Sequence, residues 1–268
     1  MAWAFLAAVC ALFGVFGWIS GGYRGLTTVV FCTLLASAGA YWYADRVVMG
    51  MVGARELPIA EAPLVHSALE RLAAKARVTK PKLYVIRDGH PRALVAGRGA
   101  RGSAIAVSRG LLGSAPPAEL DGILAHELAH VRSRDVVTQE LAVVVAVALI
   151  EFTRVGGFLQ RALLFMIGPL AAAFVHLMLS PRREFAADRF AAEICESPHG
   201  LADALLRLEL AGELVEFHAN PATEPLYTIN PFEARGLAAM FVTHPKTEER
   251  VRRLRELDPE WKEKLRAA

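Results

Sequence analysis

Ile123-Leu124-Ala125-His126-Glu127-Leu128-Ala129-His130 sets two imidazoles four residues apart around a carboxylate, in a run free of glycine and proline. On an α-helix, residues i and i+4 share a face, so His126 and His130 point the same way. Both can give a ring nitrogen to one Zn²⁺ ion at about 2.0 to 2.1 Å. Glu127 beside them is placed for the water on the metal instead of the metal itself. The stretch therefore predicts a helix carrying the core of a metal-dependent peptidase.

A catalytic zinc needs a third protein ligand and an open position. Glu184 supplies a candidate within Arg183-Glu184-Phe185-Ala186-Ala187-Asp188. Glu184 and Asp188 lie one helical turn apart on a common face. The first can bind metal, while the second accepts a hydrogen bond from a ligand histidine and fixes its tautomer. Two helices are expected to meet at one Zn²⁺ per chain. Asp135, five residues past His130, is open to either a supporting role or a helix-end charge.

Outward from these helices the chain turns apolar. Of 268 residues, 54% are hydrophobic, well above the share expected of a purely soluble domain, and mean hydropathy is +0.34. Residues Ala2 to Ser20 and Leu26 to Ala44 form two long uncharged runs separated by Gly21-Gly22-Tyr23-Arg24-Gly25, the pattern of a transmembrane hairpin. A cleaved signal peptide is the competing reading of the first run. It is disfavoured because no Lys or Arg precedes the run and a second one follows at once.

A second hydrophobic hairpin is expected over residues 136 to 180, as helices from Val136 to Ile150 and Ala162 to Ser180. Its first helix is short for a full crossing, which leaves a buried or partly inserted hairpin open. Arg46, Arg55, Arg182 and Arg183 flank the polar ends, whereas only Arg24, Arg154 and Arg161 fall in the connectors. The positive-inside rule then puts the polar blocks, 46 to 135 and 181 to 268, on the cytoplasmic side of a multi-pass inner-membrane protein. Domain limits follow at 1–45, 46–135, 136–180 and 181–268.

Within the polar part, Leu64, Leu69, Leu72, Ala73 and Ala76 recur at helical period. Leu83 to Ile86, Ala93 to Ala96 and Ala104 to Ser108 read as strands of a small sheet. Pro116-Pro117 opens the His126 helix and Pro181 the Glu184 helix. The fold class is thus α+β, mainly α, with about four membrane-associated helices. His90 and His199 fall in loops and read as solvated. Net charge is +3, without a basic stripe carrying interleaved aromatics, which argues against nucleic acid. Three cysteines without C-x-x-C spacing read as reduced thiols, not ligands.

Three segments carry a more specific resemblance. H-E-L-A-H at 126–130, R-R-E-F-A-A-D at 182–188 and T-H-P-K-T-E-E-R at 243–250 resemble, in order, the signatures of the HtpX family of membrane zinc metallopeptidases. Gly97-Arg98 and the segment Ser103 to Leu112 resemble the family's block before the zinc helix. The resemblance implies a gluzincin-type fold in which His126, His130 and Glu184 bind zinc and Glu127 is the general base. It also implies that His244 donates to the developing oxyanion. Arg250 is expected to pair with a carboxylate in a structural role. Arg92-Ala93-Leu94 stands where the family has Asn-Ala-Phe, so the asparagine's substrate contact is not carried over.

The expected function is a zinc endopeptidase trimming misfolded or damaged membrane proteins at the bilayer. A CAAX-type processing peptidase, which relatives of the family are, and a non-proteolytic zinc-stabilised chaperone or scaffold are the alternatives. Strand Ala93 to Gly97 is a candidate to pair with substrate backbone. The loop-rich stretch 216 to 243, just before His244, is a candidate cover for the cleft.

Overall fold

The structure, a computed structural model, describes residues 2–97, 99, 102–140, 143, 157–214, 227–228, 244–258 and 260. Helix α1 (Ala2–Met51) is broken at Gly21 and Gly22, whose φ/ψ pairs are −153°/20° and 59°/−142°. In an unbroken helix Gly17 and Gly25 would stand about 12 Å apart along the axis. Instead, a Cβ placed on Gly25 would lie 2.1 Å from the Gly17 carbonyl oxygen, and one on Gly17 2.6 Å from that of Gly25. The two arms therefore fold back on each other with their backbones touching, which no larger residue allows.

The arms carry exposed large apolar side chains, among them Val15, Trp18, Ile19, Phe31, Leu35 and Trp42. The helix runs six residues past the boundary expected at 45, because Val48 and Met49 are buried against the sheet. Among the described residues no helix is long and apolar enough to cross a membrane. Of the second predicted hairpin, residues 136–140 and 143 are helical, and 141–142 and 144–156 lie outside the described residues. Helix α5 (Gly157–Met178) begins five residues before the expected Ala162.

Strands β1 (Ala54–Glu56), β2 (Lys82–Ile86), β3 (Ala93–Gly97) and β4 (Ser103–Ser108) form one mixed sheet in the order β1-β2-β4-β3. β2 and β4 are parallel with Leu83 opposite Ile105, and the outer pairs are antiparallel, Val95 facing Ile105. β3 and β4 are buried on both faces, as their near-continuous apolar runs require. Val95, Ile105 and Val107 point into the main helical core, while Leu94, Ala96, Ala104 and Ala106 face Val48, Met49 and Tyr227.

Helix α4 (Pro117–Ser133) starts on a proline, whose missing N–H is unneeded in a first turn, and ends at Arg134 in the left-handed region. Every residue from Gly122 to Val131 is buried. The helix is enclosed by α2 (Pro63–Ala76), the sheet, α6 (Pro181–Cys195) and α7 (His199–Leu214). Its approach to α7 is exceptionally close: a Cβ on Gly122 would lie 2.6 Å from the Leu201 nitrogen, and one on Gly200 2.3 Å from the Ala118 oxygen. Helix α3 (Arg109–Ser114) follows β4, α8 (Thr247–Glu256) packs on α6 and α7, and α4 and α6 lie side by side.

Candidate metal centre

His126, His130 and Glu184 each offer a ligand atom, all within 4.8 Å of one another, and all three residues are buried. His126 Nε2 and His130 Nε2 are 3.3 Å apart. The Glu184 carboxylate lies 3.5 Å from His126 Nε2 through Oε2 and 3.7 Å from His130 Nε2 through Oε1. Ligands about 2.05 Å from a tetrahedral ion are separated by about 3.3 to 3.4 Å. The chain thus presets the edges of such a tetrahedron, and two nitrogens with one carboxylate form a donor set suited to zinc. The sequence alone gave the helical spacing; the abutment of α4 and α6 closes the triangle.

Beyond the triangle, Asp188 Oδ1 stands 3.0 Å from His126 Nδ1. An Nδ1–H donating there leaves Nε2 free for a cation. Arg250, only 1% exposed, grips Asp188 from the far side through Nε and Nη2. Its Nη2 also lies 3.4 Å from His126 Nδ1, a contact between two donors once Nδ1 carries the proton, so the Asp188 bond is the one that orients the ring. Arg250 Nη1 donates to the Thr228 carbonyl at 2.6 Å.

Burial tends to raise the carboxyls and lower the imidazoles, and neighbouring charges then decide each case. For Asp188, burial is overridden by Arg250, which holds the carboxyl down to about 2. Glu184 is held well below the usual range, against its burial, by His244, His130 and His126. Burial would lower His126, yet hydrogen bonds to Asp188 and Glu184 push it up to about 9. Burial dominates at His130 and takes it down to about 3. Glu127 is raised by burial, the direction a proton-accepting base near neutral pH requires.

Glu127 accepts a hydrogen bond from Thr228 Oγ1 at 2.6 Å through Oε1, leaving Oε2 for chemistry. Thr228 was missed by sequence reasoning: it lies in a loop with no motif, and its N–H donates to the Ala93 carbonyl at 3.3 Å. Tyr227 beside it forms an antiparallel bridge to Leu94. The β3 edge expected to receive substrate backbone is therefore engaged by the chain itself at Leu94. Of the expected cover, 216 to 243, only residues 227 and 228 are described: Tyr227 packs on the sheet beside Leu94, and Thr228 reaches Glu127.

His244 Nδ1 lies 3.2 Å from Glu184 Oε2, so the ring borders the ligand carboxylate. Asp135 accepts a hydrogen bond from Ser133 Oγ at 2.8 Å at the exposed end of α4. His90 is 5% exposed, not solvated, because the 88–92 turn folds under β4. His199 is half-buried and pairs with Asp258 at 3.0 Å.

Comparison with known proteins places these features in context. The model of peptidase family M48 matches residues 60–258. The protease HtpX homolog of Persephonella marina is 35% identical over 272 residues, covering 94% of each chain. That of Aquifex aeolicus is 37% identical, covering 90% of this chain and 87% of its own length. That of Pyrococcus abyssi is 35% identical, covering 95% and 93%. In the crystal structure of S. mikatae Ste24p, 16% identical, the fold superposes with a TM-score of 0.54 over 94% of this chain. The chain spans 63% of that protein's length.

Proposed function

The chain belongs to peptidase family M48 and is a metallopeptidase, and from that premise we propose a membrane-bound zinc endopeptidase acting on damaged or misfolded membrane proteins. The observation that carries the zinc assignment is the buried triangle of His126, His130 and Glu184, whose edges of 3.3, 3.5 and 3.7 Å suit a tetrahedral ion. Three protein ligands would leave a position for water on the ion, and Glu127 beside them speaks against a merely structural metal, which would need no base.

His126, His130 and Glu184 would hold one Zn²⁺. When bound, the ion acidifies a water and polarises a substrate carbonyl. Glu127 takes a proton on Oε2 while Oε1 is held by Thr228, then returns it to the departing peptide nitrogen. Its burial strengthens the hold on that proton between the two transfers. Asp188, fixed by Arg250, keeps the His126 tautomer constant throughout. His244 borders the same space and is the side chain assigned to the developing oxyanion.

Two features support the membrane setting: the apolar runs of residues 2–20 and 26–44, and the large apolar side chains exposed on both arms of α1. Arginines flanking the polar blocks favour a cytoplasmic catalytic domain. The test is cleavage of β-casein and of an unfolded membrane protein by detergent-purified full chain. Activity should vanish with 1,10-phenanthroline and return with stoichiometric Zn²⁺. Cleavage that survives complete metal removal would contradict the proposal.

A further inference from the structure

A cleft of about 910 Å³ lies where the second arm of α1 meets the sheet, away from the metal triangle, and the mechanism makes no use of it. Its lining is graded along the helix. Leu35, Ala38 and Gly39 come first, then Trp42 and Tyr43, then Arg46; Lys80 and Lys82 close it from the domain side. Leu35 and Arg46 are separated by about 16 Å along the helix axis. The polar end points to the domain, since Val48 and Met49, just beyond Arg46, are buried in it.

Three cations against one carboxylate, Asp45, leave the lining with a net charge of +2. Lys80 also bonds Glu70 at 3.0 Å, so Arg46 and Lys82 are the cations to consider first. The Arg46 guanidinium sits 5.5 Å over the Tyr43 ring, which orients it beside the aromatic pair. Thr79 lines the same end beside Lys80.

Apolar wall, aromatic band and cationic end repeat in one cleft the order of acyl chain, interface and phosphate in a glycerophospholipid. We propose that this cleft is a binding site for an anionic phospholipid, with the lipid phosphate on Arg46 and Lys82 and an acyl chain along Leu35 and Ala38. The proposal rests on the membrane reading of α1 given above. A single bound headgroup there would tie the helical hairpin to the β2–β4 end of the catalytic domain. Free phosphate shares the headgroup chemistry but has nothing to place on the apolar wall.

The test uses delipidated full-length protein in detergent, offered dioleoylphosphatidylglycerol and dioleoylphosphatidylcholine in equal amounts and read by native mass spectrometry. Wild type should retain one phosphatidylglycerol in clear preference. The Arg46→Gln/Lys82→Gln variant should lose roughly 25-fold in that preference, about fivefold for each cation removed. The Arg46→Lys/Lys82→Arg variant should keep it within about twofold, and millimolar inorganic phosphate should not displace the lipid. Equal retention by the Gln variant would overturn the proposal, as would loss in the charge-keeping variant or displacement by phosphate. Flotation with neutral phosphatidylcholine vesicles separates this from the membrane reading. Failure to float contradicts the reading, whereas floating without phosphatidylglycerol preference contradicts the cleft alone.

Discussion

Arg250 holds Asp188 by two parallel hydrogen bonds, Nε to Oδ2 at 2.8 Å and Nη2 to Oδ1 at 2.7 Å, in a site where both side chains are almost fully buried. Asp188 passes that constraint to His126 Nδ1, 3.0 Å away. Helix α8 thereby fixes a candidate ligand on α4 through a carboxylate on α6, and three segments distant in sequence share one orientation.

Arg250→Met leaves Asp188 buried without its partner and should lower stability by about 3 kcal/mol or more. Zinc affinity, measured by competition with a chromogenic chelator, should fall about 10- to 100-fold. Unchanged affinity in a folded variant would show that the fork does not orient His126.

The metal-free protein should be most stable in a window near neutral pH. His126 is raised to about 9 in the fold, so its contribution is complete below about 6.5 and is lost as pH rises through about 9. His130 is lowered to about 3, so its contribution is complete above about 6.5 and is lost as pH falls toward about 3. Thermal melts of metal-free protein across pH 4 to 10 should decline on both sides, and zinc should flatten the alkaline limb by replacing the His126 Nε2 proton. A monotonic profile would contradict these two opposite shifts.

Thr228→Val removes the hydroxyl that bonds Glu127 Oε1 at 2.6 Å. A hydrogen bond to a charged group contributes about 1.5 to 3 kcal/mol, so the acidic limb of kcat/KM should move up by about one to two pH units. Zinc content should stay stoichiometric. An unmoved limb would detach Thr228 from the base.

Gly122→Ala places a methyl 2.6 Å from the Leu201 backbone nitrogen, a contact that no rotamer relieves. The strain should cost about 1 to 3 kcal/mol, a fall in Tm of several degrees by calorimetry. A melt equal to wild type would mean that α4 and α7 separate freely.

What the sequence made legible follows the range of each interaction. His126 and His130 stand one turn apart on a helix and Glu184 and Asp188 on another, so each pair's face is fixed by local geometry before any folding. β2, β3 and β4 were readable as apolar runs, whereas β1, only Ala54-Arg55-Glu56, has no apolar pattern and exists through its pairing with β2. Thr228 carries no local signal, because it reaches Glu127 only when its loop docks on β3. The burial of His90 likewise depends on a turn folding beneath a strand. Gly122 carries no sequence signal of its own, and only the crossing with α7 shows why a glycine stands there.

In the proposed function Glu127 carries the proton beside a zinc held by other residues. The most direct measurement is cleavage of β-casein by Glu127→Gln, with zinc counted on the same sample by mass spectrometry. The expected result is about one zinc per chain and a loss of cleavage of at least about 10²-fold. Cleavage at the wild-type rate with zinc in place would contradict it.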